Sequence, residues 1–314
     1  MNNQVLIYQV RAFADRGFGG SPTGVVLNAG GLNEVQMQAI AKKLPVSHTA
    51  FVMEVVDQDH DINIRFFTPN GEIRNCGHAT IAAHFLLATE KGTSQGYMSK
   101  QKTQSGVQEV QIYREEGILN VTFEQSEVLL SGIEKDVVQE LLMLFNLSSS
   151  DLPEHYPIML ASPGANRFLI PLKSQETLAK LKPGFPAMRS LCERTDSIGC
   201  FAFTLSGAED RWEAQGRMFA PMIGVDEDII NGNSSGCLGA YLIHLSNTGF
   251  DHTGLTLTVY QGHGFGTPGK VVVKAQKSSE KIRTFVGGTA IIASQTRMEI
   301  NQYQKDPHDK DDAV

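Results

Sequence analysis

Two similar segments stand out in the sequence: RFFTPNGEIRNCGHAT at 65–80 and RMFAPMIGVDEDIINGNSSG at 217–236. Each begins with an Arg-x-Phe strand pattern ending in a proline, continues through an acidic loop, and closes with small residues before an apolar helix pattern. The helix patterns run through Leu87 and Leu245. A strand, turn and helix repeated about half a chain apart indicates internal duplication, so the sequence predicts two similar domains.

Strand patterns outnumber helix patterns in the rest of the chain. Alternating apolar residues bounded by Gly, Pro, Asn or Ser predict strands at Val5–Phe13, Val107–Tyr113, Leu119–Phe123, Phe168–Leu172, Phe201–Leu205, Leu255–Tyr260, Lys270–Lys274 and Thr284–Ala293. Apolar residues at helical spacing predict helices at Asn33–Lys43, His78–Thr89, Ile133–Phe145, Gln175–Leu181 and Gly236–Thr248. The strand–helix–strand alternation that suits a parallel sheet is poor, so the pattern favours an α+β fold.

Composition and charge narrow the classes of protein. The chain has 314 residues, of which 41% are hydrophobic, and a formal net charge of −7. This acidic balance argues against a nucleic-acid partner, which would require a basic surface. No apolar run reaches about 18 residues, so no membrane span is predicted. Met1–Val10 lacks a secretory pattern, which predicts a cytoplasmic protein. Neither a disulfide framework nor CxxC metal spacing is predicted for the four cysteines, Cys76, Cys192, Cys200 and Cys237.

The starts of the two repeated helices are candidate binding sites. The backbone N–H groups of Gly77–Ala79 and Gly232–Ser234 precede the first intrahelical hydrogen bonds, and the positive end of a helix dipole attracts an anion. A small anionic metabolite with a carboxylate is therefore the predicted ligand. The alternative is that both segments are ordinary, well-capped core helices.

Titratable residues surround these helix starts. Cys76 and His78 flank the first, Asp226–Asp228 precede the second, and His48 lies before an apolar strand. Such groups move protons on and off carbon when their pKa lies near neutrality. The alternatives are a structural histidine, a buried apolar cysteine and a solvated acidic turn. A zinc site formed by Cys76 and His78 with His48 or His84 would require long-range folding, because the spacing is not diagnostic; no metal is predicted.

Two glycine-rich loops do not indicate a nucleotide cofactor. Gly17–Gly20 and Gly262–Gly266 are each followed by strand-like residues. The dinucleotide fingerprint needs a strand, the glycines and then a helix. No cofactor is predicted.

On these residues the chain resembles the phenazine-biosynthesis isomerase-like (PhzF-like) family, which shares its fold with diaminopimelate epimerase. The resemblance covers about 5–293. The matching pieces are Val10–Phe13, Phe18–Pro22, Ser47–Phe51, Arg65–Pro69, Cys76–Thr80, Arg217–Pro221, Glu227–Asp228 with Gly232, Gln261–Gly262 and Val286–Gly288.

The resemblance implies two pseudo-symmetric β-barrel-like domains, each enclosing a central helix, with the site between them. The first domain is predicted to span 1–126 plus a strand at about 284–298, and the second to span 127–283. Residues 299–314 are predicted to be a flexible tail. The resemblance also implies cofactor-independent and metal-independent proton transfer at carbon, and a homodimer.

The resemblance assigns catalytic roles residue by residue. The family's acid/base Glu falls at His48, its Asp at Asp228, and its active-site His at His78. In diaminopimelate epimerase two cysteines transfer the proton. Cys76 sits where the first would be, but Asn231 occupies the second position, so a two-cysteine racemisation is not predicted.

The sequence therefore predicts an isomerase- or epimerase-like enzyme. The predicted catalytic residues are His48, Asp228 and His78, and the predicted substrate-binding residues are Cys76, Gly77, Ala79, Gly232, Asn233 and Ser234. A binding protein with altered chemistry and a dehydratase or lyase are the alternatives. The protonation of His48 stays open at this point, because a nearby Asp228 would raise its pKa whereas burial would lower it.

Overall fold

The computed structural model describes residues 4–55, 59–208, 211–246, 254–278 and 281–300. The Cα positions group the chain into two compact units. Unit 1 comprises Met1–Ala12, Pro22–Val121 and Thr289–Val314, and unit 2 comprises Phe13–Ser21 and Thr122–Gly288. The predicted domain boundaries stay predictions. Residues 301–314, predicted to be part of a flexible tail, lie outside the described residues.

Within the described residues the chain forms seventeen strands and six α-helices. The strands are β1 (Gln4–Ala14), β2 (Ser21–Val26), β3 (Thr49–Glu54), β4 (Ile62–Thr68), β5 (Gly71–Ile73), β6 (Tyr97–Thr103), β7 (Gly106–Glu115), β8 (Ile118–Glu124), β9 (Leu129–Ser131), β10 (Met159–Ser162), β11 (Asn166–Leu172), β12 (Ser197–Ala208), β13 (Arg211–Phe219), β14 (Glu227–Asp228), β15 (Gly254–Gln261), β16 (Gly269–Ser278) and β17 (Lys281–Glu299). The helices are α1 (Glu34–Lys43), α2 (Gly77–Glu90), α3 (Lys135–Leu144), α4 (Gln175–Lys180), α5 (Phe185–Arg194) and α6 (Gly232–Ser246).

Strand pairing follows the same order in both units. In unit 1, β2 runs parallel to β3, β3 antiparallel to β4, β4 parallel to β6, and β6 antiparallel to β7. In unit 2, β11, β12, β13, β15 and β16 pair with the same alternation of directions. A short strand returns along the central strand of each set, β5 on β4 and β14 on β13. The internal repeat in the sequence therefore corresponds to a repeated sheet topology.

A helix buried along its length follows the short returning strand in each unit. Helix α2 contacts β3 and β7, and α6 contacts β10, β15 and β16. Both are apolar on every face, which is the pattern of a helix enclosed by other elements. The buried residues of α2 are Ala79, Thr80, Ile81, Ala82, Ala83, His84, Leu86 and Ala88. Those of α6 include Ser234, Ser235, Cys237, Leu238, Ala240, Tyr241, Leu242 and Ile243.

An arginine anchors the returning strand of unit 1. The Arg65 guanidinium donates to both carboxylate oxygens of Glu72, at 2.7 and 2.6 Å, and to Glu34 at 2.8 Å. Its central carbon lies 5.2 Å from the ring centroid of Phe67. The bidentate pair holds β5 against β4 before the chain enters α2.

Unit 2 repeats this arrangement. Arg217 donates to both oxygens of Glu227, at 2.8 and 2.7 Å, and lies 4.7 Å from the ring centroid of Phe219. It also donates to three carbonyl oxygens at the end of α4. The last carbonyls of a helix lack most of their intrahelical donors, although the Leu178 carbonyl also accepts from the Leu181 N–H. One side chain therefore both holds β14 and caps a helix.

The predicted α+β class is confirmed, and two details of the helix prediction are wrong. Helix α6 begins at Gly232, four residues before the predicted Gly236. Helix α5 was not predicted, although Met188, Leu191 and Cys192 form a buried stripe at helical spacing. Strand β6 was also not predicted, because its buried face consists of Ser99 and Gln101, which are polar and give no apolar alternation.

In the described part of the chain, no helix combines the length and the apolar character needed to cross a membrane. The four cysteines form no disulfide with one another, and all are buried.

The Arg217–Glu227 pair can be compared with an exposed pair of the same geometry. Arg283 donates to both oxygens of Glu124 at 2.6 Å and stacks over Phe285, but these charged side chains are 46% and 40% exposed, against 22% and 16% for Arg217 and Glu227. We expect Arg217→Gln to lower the free energy of unfolding by about 2–3 kcal/mol, since it strands a mostly buried carboxylate. The matched Arg283→Gln should cost less than about 1 kcal/mol. Urea denaturation measures both, and equal losses would contradict the anchoring role.

Candidate active site

Three predicted site residues of unit 1 lie together. His48 directly precedes β3, Cys76 is the N-cap of α2, and His78 lies in the first turn of α2. The rings of His48 and His78 meet edge to face, with centroids 4.6 Å apart. The Cys76 thiol sulfur lies 3.5 Å from Nε2 of His78. Residues up to 30 positions apart in the sequence thus form one cluster at the start of the buried helix.

Burial determines the protonation of the two imidazoles. It lowers the pKa of His48 to about 4, and it lowers the pKa of His78 well below 6.5, with a further contribution from the charge of His48. Nδ1 of His48 lies 2.9 Å from the Ser47 hydroxyl oxygen. Desolvation is the cause of the lowered His48 pKa, so this imidazole is neutral near pH 7.

The first turn of α2 offers backbone donors. The first intrahelical bond of this helix runs from the Thr80 N–H to the Cys76 carbonyl. The N–H groups of Gly77, His78 and Ala79 precede it and have no acceptor within the helix. The predicted substrate-binding residues Gly77 and Ala79 therefore contribute to a turn suited to an anion.

The acidic triplet of unit 2 divides into three environments. Asp226 is on the surface beside Arg189, at 3.3 Å, and Glu227 is bound to Arg217. Asp228 alone lies beside the start of α6, where burial raises the pKa of its carboxyl to about 6. This third carboxyl is therefore suited to exchanging a proton near neutral pH.

Asn231 connects Asp228 to the first turn of α6. Its Nδ2 donates to Asp228 at 2.9 Å, and its Oδ1 accepts from the Ser234 N–H at 2.8 Å. Its own N–H donates to Oε1 of Gln261 at 3.0 Å. The Ser234 amide, predicted to bind substrate, thus already has an acceptor within the protein. The amides of Gly232 and Asn233 belong to the same first turn.

Arg167 is a site residue that sequence reasoning missed. It is only 2% exposed, and its Nη1 lies 3.2 Å from the Ser234 hydroxyl and 3.5 Å from Oδ1 of Asn231. Its Nη2 donates to the Ala165 carbonyl, and within the described residues its Nε has no hydrogen-bond partner. Burial lowers its pKa, opposed by the charge of Asp228. This buried cation adds to the positive end of α6.

Gln125 is a second missed residue. Its Nε2 donates to the Asn233 carbonyl at 2.9 Å, and its Oε1 accepts from the Thr284 hydroxyl at 3.0 Å. A Cβ atom at Gly236 would lie 1.9 Å from that Oε1, so a side chain there would displace the Gln125 amide. Neither Gln125 nor Arg167 carried a sequence signal, because each lies just outside a predicted apolar strand and its partners are distant in the chain.

The cluster in unit 1 also contains metal-ligand types. One potential ligand atom from each of His48, Cys76 and His78 lies within 4.8 Å of the other two. His84, the alternative ligand in the sequence analysis, is instead buried with its Nε2 3.0 Å from Oε1 of Gln101.

Comparison with known proteins identifies the family. The family model described as phenazine biosynthesis-like protein (PhzC-PhzF) matches residues 10–296. The chain belongs to this family. It is 34% identical to an uncharacterized isomerase of Clostridium acetobutylicum, over 94% of this chain and 98% of the relative. It is 29% identical to the trans-2,3-dihydro-3-hydroxyanthranilate isomerase of Pseudomonas fluorescens, over 93% of this chain and 97% of the relative.

Solved structures agree with this family assignment. The fold is similar to a PhzF-family phenazine biosynthesis protein of Bacillus anthracis, with a TM-score of 0.83 and 27% identity over 94% of this chain and 99% of that one. A hydroxyproline epimerase of Agrobacterium vitis shares the fold at a TM-score of 0.61 and 11% identity, over 95% and 91% of the two chains. The predicted family and fold are confirmed, and an isomerase- or epimerase-type function is supported.

The link between Asn231 and Asp228 can be tested by titration. The Asn231 hydrogen bond favours the ionised carboxylate, so its loss should raise the Asp228 pKa above about 6. We expect Asn231→Ala to show this upward shift in the carboxyl-carbon NMR titration of Asp228. Asn120→Ala, which removes an exposed amide bound to a backbone carbonyl, is the control. An unchanged titration midpoint in Asn231→Ala would contradict the link.

Proposed function

We propose that this protein is a cofactor-independent isomerase or epimerase that moves a proton at a carbon atom of a small carboxylate-bearing metabolite. One observation, made in both units, carries the proposal: each buried helix begins beside a titratable side chain that can exchange a proton. The group is His48 beside α2 and Asp228 beside α6. The isomerase names of the relatives support the same class of reaction.

The substrate carboxylate is assigned to the helix starts. Gly77 and Ala79 offer first-turn amides at α2, and Gly232 and Asn233 offer them at α6. Helix dipoles favour an anion at these positions. At α6 the buried guanidinium of Arg167 adds a full positive charge, 3.2 Å from the Ser234 hydroxyl.

The proposal assigns the two ends of the proton transfer to different groups. Neutral His48 accepts the carbon-bound proton, and the electron pair left on carbon is delocalised into the adjacent carbonyl or carboxylate group. Asp228, in its protonated form, returns a proton to carbon. His78 is assigned the role of orienting the His48 ring through their edge-to-face contact. Cys76 is assigned to substrate contact.

The direct test is proton exchange at carbon. Amino and hydroxy acids are incubated with the protein in deuterium oxide, and incorporation is followed by NMR. General acid/base catalysis contributes about 10²–10⁴-fold, so His48→Gln and Asp228→Asn should each slow exchange by that factor. His155→Gln and Asp226→Asn, which change exposed groups of the same types, should leave the rate unchanged.

The mass of the product distinguishes isomerisation from the alternative functions. Isomerisation leaves the substrate mass unchanged apart from deuterium, whereas a dehydratase would lower it by one water. Ligand-induced thermal stabilisation without exchange would indicate a binding protein instead. Exchange at the wild-type rate in His48→Gln would remove His48 from the mechanism.

The pH profile tests the role of Asp228. Its pKa of about 6 lies above 3.8, so its protonated form is present below pH 6 and is lost as the pH rises through 6. A proton donor with this pKa predicts that kcat/KM falls about tenfold per pH unit above 6. Asp228→Asn should lack this limb, and Asp226→Asn should keep it. A profile that instead rises through pH 6 would make Asp228 the base.

A further inference from the structure

The cluster of His48, Cys76 and His78 has the spacing of a metal site. The distance between Sγ of Cys76 and Nε2 of His78 is 3.5 Å. On a tetrahedral zinc ion, with Zn–S near 2.3 Å and Zn–N near 2.0–2.1 Å, these two ligand atoms would be about 3.5 Å apart. This pair therefore already lies at the separation that a shared ion requires.

His48 supplies the third ligand. A ligand nitrogen of this residue lies within 4.8 Å of both other ligand atoms. Its Nδ1 is 2.9 Å from the Ser47 hydroxyl oxygen, which leaves Nε2 to bind the ion. A hydrogen bond to the second ring nitrogen is the usual support of a metal-bound histidine.

We propose that His48, Cys76 and His78 bind a thiophilic divalent cation, with Zn²⁺ as the preferred ion. One thiolate and two imidazoles suit zinc and cobalt, whereas magnesium and calcium prefer oxygen ligands. Three protein ligands leave a fourth position for water or an anion. Binding replaces the thiol proton of Cys76 with the metal, so one proton is released to solvent.

The residue at position 48 differs from the one that the family resemblance implies. The resemblance implies a Glu, whereas His48 in this chain completes a set of sulfur and nitrogen ligands with Cys76 and His78. An ion bound to Nε2 of His48 occupies the lone pair that accepts the substrate proton. Zinc would therefore inhibit the exchange reaction. This inhibition rests on the proposed function, whereas the proposal that the cluster binds a metal does not depend on it.

Cobalt(II) titration of the metal-free full-length protein tests the site. We expect a thiolate-to-cobalt charge-transfer band in the near ultraviolet, and we expect visible bands with the intensity of a tetrahedral cobalt site. Both should disappear when Zn²⁺ displaces the cobalt, whereas Mg²⁺ should leave them unchanged. Cys76→Ser should abolish the charge-transfer band and weaken affinity by at least about 100-fold, and Ser47→Ala should weaken it about 10-fold. Cys192→Ala and His155→Gln, which lie outside the cluster, should bind like the wild type.

Folding of the variants is controlled separately. Cys76 is an N-cap, where serine is a favoured residue, so Cys76→Ser should keep the thermal transition of the metal-free protein. His78→Gln provides a second loss of one ligand. Cobalt spectra without a thiolate band, or equal affinity in wild type and Cys76→Ser, would overturn the site. Metal binding with the expected spectrum, together with no carbon exchange in the metal-free protein, would support the site while contradicting the proposed function.

Discussion

In each unit a helix is buried along its length, and the polar groups of its first turn are the part that still needs partners. Most side chains of α2 and α6 are apolar and buried on all faces, and the buried polar ones are paired, as His84 is with Gln101 and Ser234 with Arg167. The first-turn amides have no intrahelical acceptor, and leaving such donors buried and unpaired is costly. The positions next to these helix starts are therefore where polar and titratable residues are needed.

The two units keep the same construction but place different chemistry at this position. An arginine bound to a glutamate holds the returning strand in both, with Arg65 and Glu72 in one and Arg217 and Glu227 in the other. At α2 the neighbouring groups are two imidazoles and a thiol. At α6 they are a carboxyl, amides and a buried guanidinium. The two frames are therefore alike, while the groups beside their helix starts differ in charge and in titratable type.

Some predictions succeeded because their causes are local in the chain. The repeat, the α+β class and most helices follow from apolar spacing and turn residues that lie within about twenty positions of each other. The predicted start of α6 lies four residues after the observed one, because Gly232 and Asn233 have low intrinsic helix propensity. In the folded protein, tertiary contacts override this low propensity. Strand β6 was not predicted because its buried side chains are polar. One of them, Gln101, donates hydrogen bonds to Thr80 and Gln108, which lie outside the strand.

The sequence alone determined the family, the duplicated architecture and the residue types at each helix start, because these depend on the order of side chains along the chain. Only the tertiary structure decided that His48 meets His78 and Cys76, that burial raises the pKa of Asp228, and that Arg167 lies beside Ser234. Desolvation and ion pairing depend on what surrounds a group in space. For these residues the surroundings come from segments up to 67 positions away in the chain.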